Sequence, residues 1–102
     1  GAGAIAKLEM AEAQEKMELQ MTQSSHKVSE AQKRLQMAEA NISRADENLR
    51  CANLGFHEGV ISSTVVMEAQ TAWMEAQSQK IDAEIDVRMS NVDLRKAMGE
   101  LE

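Results

Sequence analysis

Large side chains recur every seven positions through the first half of the chain. They are Val28, Leu35, Ile42, Leu49 and Phe56, and an alanine stands three positions after each of the first four. Apolar residues at alternating steps of three and four are typical of the packing seam of a coiled coil. The pattern predicts one long helix with a row of large and a row of small side chains along one face.

The second half of the chain repeats this alternation. Its large row is Val66, Trp73, Lys80, Val87, Leu94 and Leu101, and its small row has alanine at 69, 76, 83 and 97 with serine at 90. Lys80 is the one charged member, and its long stem can lie along the seam while the ammonium stays in water. A second helix with the same two rows is therefore expected.

The rows of the two halves fit each other when the chain folds back at Gly59. Positions whose numbers add to 118 then lie opposite one another, so that Leu49 meets Ala69 and Trp73 meets Ala45. A large side chain opposite a small one lets two helices approach closely without voids. The sequence predicts an all-α fold, a long antiparallel two-helix coiled-coil hairpin.

The expected hairpin occupies residues 4–102, with a first helix from about 4 to 57, a tip at 57–62 and a second helix from about 63 to 99. Gly59 can end the first helix at positive φ, and Ser62 or Ser63 can cap the second. Gly99 can cap or fray the far end. Residues 1–3 have the look of an expression scar or a cut edge, and residues 4–16 have little partner because the arms are unequal.

Several apolar residues fall outside the predicted seam. They are Ile5, Leu8, Leu19, Val65, Ala72, Ile81, Ile85 and Val92. A two-helix hairpin buries one stripe per helix, and so small a core rarely suffices alone. We therefore expect the hairpin to pack against copies of itself or against the remainder of a larger protein.

Composition and charge narrow the classes of function. The 102 residues include no proline, one phenylalanine and one tryptophan, which is typical of long helices packed along their sides. The net charge is −6 and there is no basic stripe, so a nucleic-acid partner and a basic membrane-surface helix are not expected. No run approaches the roughly 18 apolar residues of a spanning helix.

Candidate chemical groups do not form a known motif. His26 and His57 lie on separate stretches, Cys51 is the lone cysteine, and the eight methionines have no repeated spacing. A metalloprotease motif, a phosphate-binding loop and a nucleophile elbow are all missing from the sequence. We expect no enzyme activity, no metal site and no cofactor.

Residues 45–77 and 92–101 resemble the outer-membrane efflux protein family, the TolC-like channels. The resemblance is carried by a series of short elements in a fixed order: Glu47-Asn48-Leu49 with Ala52, then Phe56, Gly59-Val60, Ser62, Ala69-Gln70, Ala72 and Ala76, and finally Leu94, Ala97 and Gly99. It extends over nearly the whole chain from about residue 5.

The resemblance implies a homotrimeric channel in which each chain has two repeats, with strands for an outer-membrane β-barrel and helical hairpins that form a periplasmic tunnel. The sequence lacks the alternating pattern of such strands. It is therefore interpreted as the hairpin of one repeat, a fragment of the periplasmic α-barrel that would meet the membrane only through the missing strands. Its expected location is the periplasmic portion of an outer-membrane protein.

In the family, the hairpin turns form the periplasmic mouth of the tunnel. They meet the hairpin tips of a periplasmic adaptor within a tripartite multidrug export pump, whose inner-membrane transporter is engaged indirectly. The resemblance thus implies an adaptor-docking tip made of exposed Gly59, Val60, Ile61 and Ser62.

The resemblance also implies that Phe56 and Glu68 line the aperture of the tunnel. Phe56 and Ile61 stand where TolC has a tyrosine and an arginine that help to close the mouth, and Val65 stands at a second acidic position. Apolar side chains cannot make those hydrogen bonds, so closure by the polar links of the family is not expected here.

Two other interpretations remain open from the sequence. The first is the hairpin of the adaptor itself, whose tip pattern is Arg, three residues, Leu, six residues, Ser. Arg50 and Leu54 fit this pattern, but its third position falls on Ile61, one residue before Ser62. The second is a cytosolic coiled-coil spacer.

Overall fold

Two long helices make up the part of the chain that the computed structural model describes, residues 1–99. Helix α1 spans Ala2–His57 and helix α2 spans Ser63–Ala97, and no strand occurs in this range. The molecule measures 86 × 20 × 15 Å, and a 56-residue helix is expected to span about 84 Å. The predicted all-α hairpin is confirmed, and α1 sets its length.

The buried side chains lie where the heptads predicted them. The six buried apolar residues all belong to the predicted rows: Ala31, Ala45, Ala52, Val66, Ala76 and Ala83. Seven of the other large residues of the rows are half-buried: Val28, Leu35, Ile42, Leu49, Trp73, Val87 and Leu94. The core is therefore a narrow row made mainly of alanines, and larger side chains cover it from each side.

Two side-chain hydrogen bonds cross between the helices. The Trp73 indole Nε1 donates to Asp46 Oδ1, and Asn41 Nδ2 donates to Gln79 Oε1 at 3.3 Å. The residue numbers add to 119 for the first pair and to 120 for the second, within two positions of the predicted 118. The helices are therefore antiparallel and close to the predicted register.

The ends of the seam differ from the prediction. Phe56 continues the heptad row, yet its side chain is 48% exposed. The position opposite Phe56 on the other arm is 62, which comes before the first residue of α2, so no helix covers the ring.

Lys80 is half-buried, as its place in the seam requires. Leu101, the last predicted member, lies outside the described residues.

Apolar surface remains uncovered along both helices. Every residue from 1 to 23 is exposed, which agrees with the expected lack of a partner for the start of α1. All eight off-seam apolar residues named above are exposed as well. The hairpin therefore has unused apolar surface to offer to neighbouring helices.

Candidate functional site: the hairpin tip

Helix α1 ends in a Schellman motif. The N–H of Val60 donates to the Gly55 carbonyl oxygen at 2.9 Å, and the N–H of Gly59 donates to that of Phe56 at 3.0 Å. Gly59 has φ +78°, a left-handed conformation that glycine adopts without steric penalty. The predicted helix end at Gly59 is confirmed, and its hydrogen bonds use carbonyl groups that a helix end otherwise leaves free.

Helix α2 begins with a side-chain cap from Ser62. This residue is extended, with φ −76° and ψ 158°, and its hydroxyl oxygen accepts a hydrogen bond from the N–H of Val65 at 3.4 Å. Such a cap satisfies one of the free N–H groups at a helix start. Of the two serines that the sequence offered, the structure uses the first.

Between the two caps, Val60 is 76% exposed, the highest value among the large apolar side chains of residues 1–99. Its N–H is held by Gly55 and its preceding residue is the left-handed Gly59. The tip therefore presents one apolar side chain to solvent on a backbone that is fixed from both sides.

The expectation that Ile61 is exposed is wrong. Its side chain is half-buried and folds back over Gly55, which is itself buried in the last turn of α1. A Cβ atom at position 55 would lie only 2.6 Å from Ile61 Cγ1. Ile61 can turn inward because Gly55 has no side chain. Glycine four residues before Gly59 was the sequence signal for this packing.

Phe56 and Glu68, the expected aperture residues, lie on different helices. The Phe56 ring is tilted by 60° to the ring of His57, with 6.4 Å between the ring centroids. Glu68 lies about 9 Å along α2 from Ser62, is exposed, and borders a shallow groove between the helices with Ala69 and Ala72. Within residues 1–99, no hydrogen bond or ion pair joins Glu68 to another side chain.

A charged pair lies two turns before the tip on the outer side of α1. Arg50 donates from Nε to Glu47 Oε2 at 3.1 Å and from Nη2 to Glu47 Oε1 at 2.6 Å. The hydrogen bond from Arg50, and then its positive charge, hold the pKa of the Glu47 carboxyl below its usual value, and the same bond raises the pKa of Arg50. The Cys51 thiol is exposed and donates to Glu47 Oε1 at 3.6 Å.

The described part of the chain holds no cluster of three His, Cys, Asp or Glu side chains that could bind a metal ion. Within the same residues, neither helix combines the length and the apolar character that crossing a membrane requires. The tip itself presents an apolar side chain, backbone groups and a hydroxyl.

Comparison with known proteins gives one match. The family model described as outer membrane efflux protein matches residues 2–100. The chain has no significant match among curated proteins or among solved structures. The match extends over both helices and the tip, and it favours a channel over the adaptor hairpin and the cytosolic spacer.

Proposed function

The chain belongs to the outer membrane efflux protein family, as the motifs in residues 45–77 and 92–101 predicted, and on this basis we propose that its hairpin forms part of the wall of a periplasmic tunnel in a homotrimeric channel. The family is one of transport proteins, and no catalytic step is assigned to the hairpin. Its tip docks the hairpin tips of a periplasmic adaptor. The adaptor connects the channel to an inner-membrane transporter in a tripartite export pump.

A second apolar face on α2 supports a place in a wall of helices. Its members, here called the outer stripe, are 37–64% exposed: Met67, Met74, Ile81, Ile85, Met89 and Val92. At about 100° per residue they fall within an arc of roughly 80°, with the seam residues Ala76 and Ala83 roughly 160–180° away. A helix with apolar surface on opposite sides is suited to a neighbour on each side.

A row of carboxylates lies between the seam and the outer stripe. The row consists of exposed side chains that follow one another by seven, seven, four and seven positions: Glu68, Glu75, Asp82, Asp86 and Asp93. This spacing puts them roughly 60–100° from the outer stripe, so they point out of the plane of the proposed wall. Glu68 is the member nearest the tip, which supports its proposed place at the tunnel aperture together with Phe56.

Docking at the tip rests on one observation above all, the exposure of Val60. A turn needs only its left-handed glycine and its cap, and both are supplied by Gly59 and Ser62. An apolar side chain that is 76% exposed adds nothing to the stability of such a turn. On the end of an 86 Å hairpin it is placed for contact with another protein. Gly59 and Ser62 contribute backbone groups and the hydroxyl to the same surface.

Exchanging Val60 for aspartate in the full-length channel tests this function. The carboxylate would be desolvated at the docking contact without a partner, which is unfavourable. We expect Val60→Asp to raise the drug susceptibility of cells that depend on the channel and to weaken crosslinking to the adaptor. Channel abundance, measured by blotting, should not change, because the side chain is 76% exposed in the hairpin.

Val60→Thr is the matched control, since threonine keeps the shape of valine without adding a charge. It should retain most of the export and most of the adaptor crosslinking. Normal export together with normal crosslinking in Val60→Asp would show that the tip is only a turn.

A further inference from the structure

We infer that Ile61 is a latch seated on Gly55, and that this latch fixes the backbone from which Val60 projects. Ile61 is then a positioning residue and not part of the docking surface. The latch is a property of the hairpin itself. Only its consequence for docking rests on the function proposed above.

Packing at the tip shows the seat of the latch. Gly55 is buried, although its neighbours Leu54 and Phe56 are 50% and 48% exposed. The Ile61 side chain covers it so closely that a Cβ at position 55 would lie 2.6 Å from Cγ1 and 3.2 Å from Cβ of Ile61. Alanine at position 55 would therefore force the isoleucine outward.

Hydrogen bonds hold the same two residues together. The Gly55 carbonyl oxygen accepts from the N–H of Val60 at 2.9 Å and from the N–H of Ile61 at 3.1 Å. One carbonyl group thus fixes the backbone of the latch and of the residue before it. Displacing Ile61 would lengthen or break both bonds, because both donors lie on the segment that the side chain anchors.

Adjacent apolar residues at the tip therefore have different tasks. Ile61 is half-buried and borders the groove between the helices with Ala52 and Val65. Val60 is 76% exposed. Burial of Ile61 stabilises the turn, and the stabilised turn keeps Val60 in one position. A contact surface that is already ordered loses less conformational entropy when a partner binds.

Amide hydrogen exchange of the 102-residue chain, read by NMR, tests the latch without any partner. In Gly55→Ala we expect exchange at the N–H groups of Val60 and Ile61 to quicken by roughly 5- to 150-fold, the range that overpacking at one site implies. Circular dichroism should show that the helices are retained.

Two further variants make the test specific. Ile61→Ala removes Cγ1, Cγ2 and Cδ1, the side-chain carbons beyond Cβ, so it should quicken exchange at the tip by itself, and adding Gly55→Ala to it should have little further effect. Gly3→Ala is the matched control, because a Cβ at position 3 meets nothing within 4 Å. It should leave exchange at the tip as it is. Unchanged exchange at Val60 and Ile61 in Gly55→Ala would overturn the latch.

Adaptor crosslinking to the full-length channel tests the consequence for docking. Gly55→Ala should weaken it although Val60 is present, and Ile61→Ala should weaken it as well. Faster exchange with undiminished crosslinking would overturn the positioning role. Loss of the proposed function itself would appear separately, as normal crosslinking in Val60→Asp, and would leave the exchange result standing.

Discussion

Trp73 shows how a single side chain can serve both packing and recognition between the arms. Its ring is half-buried in the large row of the seam, and its Nε1 donates to Asp46 on the other helix. Tryptophan is large and apolar but carries one donor that usually finds a partner when it is covered. The hydrogen bond therefore fixes Trp73, the bulkiest seam residue, opposite Asp46 and so helps to set the register of the two helices.

Replacing Asp46 tests this tie. Asp46→Ala removes the acceptor, so we expect a loss of roughly 0.5–1.5 kcal/mol in the free energy of unfolding. Asp46→Asn keeps an acceptor oxygen and should lose less. The measurement is urea denaturation followed by the fluorescence of the single tryptophan. Equal stability of the alanine variant and the unmodified chain would show that water replaces Asp46 without cost.

At the scale of the secondary-structure elements, buried alanines form the centre of the contact between the two helices. Ala45 and Ala76 are 8% and 1% exposed, and no large side chain within residues 1–99 is fully buried. Small residues bring the two backbones close, and the larger side chains of the rows then cover the contact from each side. Such a seam is sensitive to added volume, because the gap left for each alanine is close to its own size.

Ala45→Leu is expected to destabilise the hairpin by roughly 1–3 kcal/mol, since the added carbons must displace Trp73 or the backbone. Ala40→Leu is the control on the exposed side of the same helix, where a change within about 0.5 kcal/mol is expected. Denaturant melts of both variants give the comparison. Equal effects at the two positions would place Ala45 outside the seam.

The helices were predictable because their signals are local. The expected bounds of 4–57 and 63–99 compare with Ala2–His57 and Ser63–Ala97. The glycine that ends α1 was identified from the sequence, and the serine that caps α2 was narrowed to Ser62 or Ser63. Heptad rows indicate which face of a helix is covered, and capping residues indicate where the helix begins and ends.

The details of the tip were not predictable in the same way. Val60 and Ile61 are alike in sequence, and only the space above Gly55 decides which of them turns inward. Phe56 satisfies the heptad pattern, but the position opposite it, 62, comes before the first residue of α2. The pattern on α1 therefore continues past the point where α2 begins. The bond of Trp73 to Asp46 was missed because Asp46 is outside both rows.

At the scale of the molecule, the hairpin is a rod whose surface is only partly used. The apolar side chains of the outer stripe on α2 and of positions 5–19 on α1 are 37–65% exposed. Exposed apolar surface of this extent marks contact with other proteins. Together with the family match over residues 2–100, it supports a wall segment whose stability depends on neighbouring helices.

The most direct test of the account is photocrosslinking from position 60 of the full-length channel in cells. A photoreactive amino acid there should crosslink to the periplasmic adaptor, because Val60 projects from the end of the hairpin. The same group at Lys7, about 75 Å away along α1, should not. Adaptor crosslinks from position 60 alone are the predicted result. Their absence at position 60 in an assembled pump, or equal crosslinks from both positions, would contradict docking through the tip.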